Sequence, residues 1–173
     1  MFSQKDLKSK FGNPKIDNYE KNNIIILSLP FEYIYSGNSK KITIKCHKLV
    51  KENFIKAHEL IWSTIRKLIK IKYGYNKTTD FYNDKTIEYL KTKKLNVCGG
   101  SFNIRAMRGS TSLSHHSYGI AIDIDPVRNP MSKKLITTLP TWYINCWKEA
   151  GFEWGGDWEN SKDSMHFEVA KFI

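Results

Sequence analysis

The spacing of apolar residues predicts two amphipathic helices in the chain. Over residues 49–72 the apolar positions step by three or four, which is the period of one helix face. A second helix is predicted over residues 140–150, because a proline stands in its first turn and a glycine follows its last residue. A weaker pattern indicates a short helix around residues 86–91.

Short runs of β-branched and aromatic residues predict strands outside these helices. The predicted strands are residues 24–27, 42–46, 102–105, 118–125 and 165–170. The first is expected to be buried and to be stopped by Pro30. Since strands and helices do not alternate regularly and the sequence contains no internal repeat, the pattern predicts an α+β fold rather than a doubly wound α/β fold.

The domain organisation predicted from the sequence is one domain preceded by a polar arm. Residues 1–22 lack a clear apolar period, so we expect an arm that is laid over the domain or is partly mobile. No linker interrupts residues 23–173. The chain has 173 residues, of which 40% are hydrophobic, and this is enough for one core and excludes a disordered protein.

The charge balance favours acidic partners. The chain carries 28 Lys+Arg against 17 Asp+Glu, a net charge of +11, which attracts polyanions such as nucleic acids, anionic lipids or acidic cell-wall polymers. Only four of the basic residues are arginines, the residue type best suited to reading base edges. We therefore expect no nucleic-acid partner and keep anionic wall polymers as candidates.

Cysteine usage and apolar runs limit the possible locations of the protein. The three cysteines lie far apart without C-x-x-C spacing, which indicates neither a disulfide framework nor a thiolate metal site. The N-terminus lacks the apolar region of a signal peptide, and the longest apolar run is too short to span a bilayer. We expect a protein that is made in the cytoplasm, does not insert into membranes and, if exported, leaves by a route other than the signal-peptide pathway.

Candidate metal ligands occur in the segment 114–125. If residues 119–125 form a strand, isoleucines occupy its core face, while the other face carries small residues and Asp123, leaving room for an ion. An imidazole from the preceding loop can reach the same ion, and the register favours His116 over its neighbour His115. The competing interpretation is that Asp123 and Asp125 are solvated carboxylates at a strand end, or that Asp125 caps a turn.

A second segment supplies the remaining groups of a zinc hydrolase. In a strand over residues 165–170, His166 and Glu168 share the face opposite the core residues, and Asp163 stands at the start of this strand. Two histidines, one carboxylate ligand and a second carboxylate that binds no metal are the components of a hydrolytic zinc site with an open coordination position. Glu168 is either an acceptor for a zinc-binding histidine or a solvated strand residue.

These motifs resemble those of the zinc peptidases of peptidoglycan. The pattern S-x-H-x-x-G-x-A-x-D is met by Ser114, His116, Gly119, Ala121 and Asp123, and D-x-M-H-F-E occupies residues 163–168. The family includes VanX- and VanY-type D-alanyl-D-alanine peptidases and the L-alanyl-D-glutamate endolysins of bacteriophages. Further likeness to the phage enzymes occurs over residues 102–109 and 151–158. The resemblance implies a small antiparallel sheet that carries the zinc site and packs against helices, as in hedgehog and D,D-peptidase folds.

The resemblance also implies roles for individual residues. His116, Asp123 and His166 become the ligands of one Zn²⁺. Asp163 becomes the general base, at a position where VanX-like members have glutamate and endolysin-like members have aspartate. This aspartate places the sequence on the endolysin side of the family.

Other roles implied by the resemblance concern the substrate. The family uses an arginine to stabilise the developing oxyanion, and Arg105 is the first choice with Arg108 the second. Ser114 is expected to bind substrate backbone, orient a ligand or form a turn. Trp154 and Trp158 are expected either to line a groove for the stem peptide or to fill the core.

The function expected from this resemblance is zinc-dependent hydrolysis of an amide bond in peptidoglycan stem peptides. The preferred bond is L-Ala–D-Glu, cut by a monomeric phage or prophage endolysin that reaches the cell wall through a holin or another route outside the Sec pathway. Two alternatives remain. One is a D,D- or L,D-carboxypeptidase or cross-link endopeptidase, and the other is a non-catalytic wall-binding or phage structural module.

Overall fold

Five α-helices and ten short strands make up the computed structural model, which describes residues 2–173. The helices are α1 (Gln4–Phe11), α2 (Tyr19–Asn23), α3 (Lys51–Tyr73), α4 (Thr79–Lys93) and α5 (Thr141–Glu149). The strands are β1 (Ile24–Ile26), β2 (Tyr33–Tyr35), β3 (Lys41–Ile42), β4 (Lys45–His47), β5 (Val97–Gly100), β6 (Ala121–Ile124), β7 (Met131–Ser132), β8 (Phe152–Trp154), β9 (Lys162–Asp163) and β10 (His166–Val169). Three 3₁₀ turns cover Lys48–Val50, His115–Tyr118 and Gly155–Asp157.

The predicted helices are present, and one of them is longer than expected. Helix α3 ends at Tyr73, where Gly74 takes a positive φ, and α5 begins directly after Pro140. Helix α4 extends well beyond the predicted segment 86–91, because the Thr78 hydroxyl accepts a hydrogen bond from the Phe81 N–H and caps its start. The helical pattern in α4 is weak since few of its side chains are buried.

The central sheet has six strands in the order β3–β2–β5–β6–β10–β8. Strands β2 and β5 run parallel, and every other neighbouring pair in this sheet is antiparallel. The α+β fold class is therefore confirmed, while the sheet is mixed rather than purely antiparallel. Strands β1 and β4 form one separate ribbon, and β7 and β9 form another.

The predicted strand over residues 102–105 is wrong. The strand in this region is β5, which ends at Gly100, and the following backbone bonds to the 3₁₀ turn instead of to a strand. The Asn103 N–H donates to the His116 carbonyl, and the Arg105 N–H donates to the Ser117 hydroxyl. An apolar pattern alone does not reveal that the turn supplies these partners.

Two other predicted strands differ in length or burial. The segment predicted over 118–125 forms a strand only in β6, because Tyr118 belongs to the 3₁₀ turn and Gly119 has a φ of +69°. Strand β1 matches the predicted position but lies in a two-stranded ribbon, and Ile26 is 68% exposed. The expectation that this strand is buried is therefore wrong for Ile26.

The core lies between the central sheet and helices α3 and α5. Trp147 of α5 is fully buried and contacts the rings of Phe54, Phe152 and Phe167. The predicted core face of β6 is confirmed, because Ile120, Ile122 and Ile124 are fully buried. Because the isoleucine face packs against the core, the opposite face of β6, which carries Asp123, lines a cleft.

The N-terminal segment contributes to the same core. Helix α1 buries Leu7 and Phe11, and the Phe11 ring lies 5.2 Å from the His47 ring in an edge-on contact. The Gln4 side chain donates a hydrogen bond to the Leu113 carbonyl, over a hundred residues away in the chain. The division between an arm at 1–22 and a domain at 23–173 stays a prediction.

A comparison of two glycines tests how tightly the 3₁₀ turn is held. Gly119 and Gly109 both have positive φ, but a Cβ atom at Gly119 would lie 2.8 Å from the backbone nitrogen of His47, whereas one at Gly109 meets nothing within 4 Å. We expect Gly109→Ala to lower the free energy of unfolding by about 1–2 kcal/mol, the cost of a left-handed conformation, and Gly119→Ala to lower it clearly more. Urea denaturation measures both, and equal losses would contradict a tight contact at Gly119.

Candidate metal centre

The antiparallel pairing of β6 and β10 brings two candidate ligands together. In this register Asp123 lies directly opposite His166, although the two residues are far apart in the chain. Their core neighbours, Ile122 and Phe167, form the adjacent pair and are fully buried. Because side chains alternate along a strand, burial of that pair directs Asp123 and His166 to the other face.

The third candidate ligand comes from the 3₁₀ turn that precedes β6. The Ser114 hydroxyl accepts a hydrogen bond from the His116 N–H and starts this turn. Gly119 ends the turn, and its N–H donates to the His116 carbonyl. The turn therefore places His116 beside Asp123, with His116 Nε2 at 3.2 Å from Asp123 Oδ1.

The ligand atoms are spaced as one zinc ion requires. His116 Nε2 lies 3.2 Å from Asp123 Oδ1 and 3.3 Å from His166 Nδ1, and the last two atoms are 2.9 Å apart. Atoms bound tetrahedrally at zinc distances of 2.0–2.1 Å are separated by about 3.3 Å. Both histidines are almost completely buried, so the residues present fit a zinc ion.

The electrostatics of this group favour a cation at Asp123, whereas His166 has to release a proton to bind one. Burial alone would raise the pKa of Asp123, but His116 and His166 hold it well below its ordinary value, so the carboxylate is ionised. Burial disfavours the charged form of His166, yet hydrogen bonds from its ring to Asp123 and Glu168 raise its pKa to about 10. An ionised carboxylate is the form that binds a metal ion.

The opposite edge of the His166 ring faces Glu168. Glu168 Oε2 lies 2.9 Å from His166 Nε2 and 2.9 Å from His115 Nδ1. His115, considered from the sequence as an alternative ligand, thus lies on the other side of the ring from His116. These two histidines and Glu168 form a second group of close ligand atoms, although their separations are those of ordinary hydrogen bonds.

Asp163 lies at the rim of the same site, in strand β9. It is half-buried, and its Oδ1 atom is buried without a hydrogen-bond partner among residues 2–173. Burial raises the pKa of Asp163 above its usual value, against the opposing positive charges of His166 and Arg108. Asp163 is therefore a carboxylate whose pKa moves toward the range useful for general base catalysis.

A cleft of about 430 Å³ contains these residues. One part of its lining consists of the candidate ligands, Asp163 and the two arginines predicted to face the oxyanion, and another part consists of apolar side chains. The apolar lining residues are Met107, Met131, Met165 and Trp158. Met107 and Met131 are not among the residues predicted from the sequence, and the fold brings them to the cleft.

The two arginines have different neighbours, and so do the two tryptophans. Arg105 directs a guanidinium nitrogen to the neighbouring Ala106 carbonyl at 3.5 Å, while the charge of Arg108 acts on Asp163. The Trp158 ring lies 5.5 Å from the His166 ring and lines the cleft. Trp154 is buried beneath the site, where its indole N–H donates to the Ser164 carbonyl.

Ser114 and Asp125 complete the set of residues considered from the sequence. Ser114 caps the 3₁₀ turn and also lines the cleft, so its position is compatible with both the turn and the substrate role. Asp125 is buried and forms an ion pair with Arg128 instead of joining Asp123 at the cleft. It has a positive φ of 42°, which turns it out of the strand pattern.

The structure is a small α+β protein in which His116, Asp123 and His166 form a candidate metal centre in a cleft. Residues 108–169 match a family model described as D-alanyl-D-alanine carboxypeptidase. This match covers less than half of the chain but contains all three candidate ligands and Asp163, and it confirms for this stretch the resemblance to the peptidoglycan peptidases. It supports a peptidase that acts on peptidoglycan.

Two further findings concern the whole chain and its helices. No solved structure matches it significantly. None of the helices in residues 2–173 combines the length and the apolar character needed to cross a membrane.

Substitutions of Asp123, in β6, and of Asp125, directly after β6, test the candidate metal centre. We expect Asp123→Asn to weaken zinc binding by more than about 100-fold, because loss of a ligand costs more than loss of a residue that only supports one. Asp125→Asn breaks the pair with Arg128, so it should lower stability and leave zinc affinity unchanged. Competition with a chromogenic chelator measures both affinities, and similar zinc affinities in the two variants would contradict the assignment of Asp123.

Proposed function

We propose that this protein is a zinc-dependent peptidase that hydrolyses an amide bond in the stem peptides of peptidoglycan. The observation that carries the proposal is the meeting of His116, Asp123 and His166 at zinc-like spacing, with Asp163 in the same cleft. The family match over residues 108–169 supports the substrate class.

The chain's own residues account for the proton transfers of such a reaction. A zinc ion held here would activate a water molecule and polarise the scissile carbonyl. Asp163 accepts the proton of the attacking water, for which its unpartnered Oδ1 atom is suited. The same carboxyl group then passes the proton to the departing amine. A raised pKa helps both steps, because the group must both take and release a proton near neutral pH.

An arginine is proposed to stabilise the negative charge that develops on the carbonyl oxygen. The sequence places Arg105 first and Arg108 second, and both line the cleft. We favour Arg108, since its charge acts on Asp163, whereas Arg105 is turned toward its own backbone neighbour. A positive charge directed at the carbonyl oxygen stabilises the negative charge that develops there in the transition state.

We propose L-Ala–D-Glu as the bond that is cut. The support is the aspartate at position 163, which the resemblance places on the endolysin side of the family. A D,D-carboxypeptidase is the second candidate, favoured by the description of the matching family model. Action at the bacterial cell wall follows from either substrate, and the net charge of +11 favours approach to its acidic polymers.

Digestion of purified peptidoglycan separates these candidates. Zinc-loaded protein is incubated with intact sacculi and with isolated muropeptides, and the products are identified by mass spectrometry. Cleavage of L-Ala–D-Glu leaves a new D-Glu amino terminus, whereas a D,D-carboxypeptidase releases single D-alanine residues. If no stem peptide is shortened, the peptidase function is refuted and a non-catalytic wall-binding module becomes the better interpretation.

Substitution of Asp163 separates catalysis from binding. Asp163→Asn removes the proton acceptor and keeps the side chain's size, so we expect kcat to fall about 100-fold or more while zinc affinity stays near that of the unchanged protein. The matched control is Asp157→Asn, which removes an exposed carboxylate paired with Lys148 and should leave kcat unchanged. Full activity in Asp163→Asn would show that Asp163 is not the base.

The two arginines are compared in the same assay. We expect Arg108→Gln to lower kcat by about 100- to 1,000-fold, the effect of losing one donor to an oxyanion, and Arg105→Gln to have a much smaller effect. The reverse order would identify Arg105 as the stabilising residue, in agreement with the order taken from the sequence.

A further inference from the structure

Glu168 is a buried carboxylate that the reaction outlined above does not use. It lies in the middle of β10, is 1% exposed, and directs a single oxygen, Oε2, toward two imidazoles. A buried carboxylate is costly unless polar partners compensate its lost hydration. His166 and His115 are such partners for Glu168.

The chemistry of imidazole connects Glu168 with the metal centre. A neutral imidazole has one nitrogen with a lone pair and one nitrogen with a proton. His166 Nδ1 faces Asp123 and His116 Nε2, so binding an ion there requires the lone pair on Nδ1. The proton must then be on Nε2, and Glu168 Oε2 at 2.9 Å is its acceptor.

His115 holds the same oxygen from the other side. Its Nδ1 atom lies 2.9 Å from Glu168 Oε2, the length of an ordinary hydrogen bond. His115 and His116 are consecutive residues of one 3₁₀ turn, so this turn supplies one ligand to the ion and one partner to Glu168. The orientation of the turn and that of the His166 ring are thereby linked through Glu168.

We propose that Glu168 and His115 are positioning residues that hold His166 in the tautomer and orientation needed to bind the metal through Nδ1. This inference rests on the proposed zinc site. Hydrogen bonds of this kind commonly fix metal-binding histidines, and their loss typically weakens metal affinity.

A second ion bound by His115, Glu168 and His166 is the competing explanation. It would need a lone pair on Nε2 while Nδ1 binds the first ion, and a neutral ring does not provide both. His166 Nδ1 lies 2.9 Å from Asp123 Oδ1 and 3.3 Å from His116 Nε2, so its lone pair is directed to the first group and only the protonated Nε2 is left for Glu168. The geometry therefore favours positioning.

Zinc affinity of Glu168 variants tests the proposal without any measurement of activity. Glu168→Leu keeps most of the volume and removes the acceptor, so we expect zinc affinity to fall about 10- to 100-fold. Glu168→Gln keeps a carbonyl oxygen that can accept from His166 Nε2, and we expect it to restore most of that loss. The control is Val169→Ala, which makes a cavity on the core side of the same strand and should lower stability while leaving zinc affinity unchanged.

A double-mutant cycle tests whether His115 acts through Glu168. We expect His115→Ala to weaken zinc binding several-fold when it is introduced into the wild-type protein. We expect it to have no further effect in the Glu168→Leu background. The absorption spectrum of the cobalt-substituted protein gives a second readout, and we expect it to change in Glu168→Leu but not in Val169→Ala.

Three results would overturn the proposal. They are zinc affinity in Glu168→Leu equal to that of Val169→Ala, additive effects of the two substitutions, and two equivalents of zinc bound by the unchanged protein. A protein that binds one zinc ion, loses it in His116→Ala and cleaves no stem peptide would instead refute the proposed function and leave this inference intact.

Discussion

The pairing register of two strands is the constraint on which the rest of the site depends. Asp123 and His166 meet only because β6 and β10 pair with these residues directly opposite each other. A shift by one residue would turn both side chains into the core and expose Ile122 and Phe167, which are fully buried. The hydrophobic core thus selects the register, and the register assembles the candidate metal centre. The packing that stabilises the sheet therefore also positions the candidate ligands.

Much of the fold could be predicted because its strongest signals are local. The period of apolar residues in α3 and the alternation of side-chain direction in β6 and β10 follow from the regular geometry of a helix and of a strand. The error at residues 102–105 has a different origin. The backbone N–H groups of Asn103 and Arg105 donate to the turn 115–118, a contact that no local pattern specifies.

The candidate site shows the same division between local and distant information. His116, Asp123 and His166 are predicted as ligands from their motifs and from the family resemblance, and the structure brings their candidate ligand atoms together. The environments of Arg105 and Arg108 could not be predicted, because both lie in irregular backbone where spacing does not determine direction. The pairing of His115 with Glu168 depends on which edge of the His166 ring faces which neighbour, and this is decided by the fold alone.

The contacts around the turn 115–118 determine how far the chain could be shortened without disturbing the candidate site. The His47 N–H donates to the Gly119 carbonyl at 2.8 Å, and the Gln4 side chain reaches the Leu113 carbonyl, so the N-terminal half supports the backbone that carries His116. The stretch matched by the family model contains every candidate ligand but lacks these supports. Residues 108–169 placed alone in another scaffold would therefore contain the candidate ligands without the contacts that hold them in position.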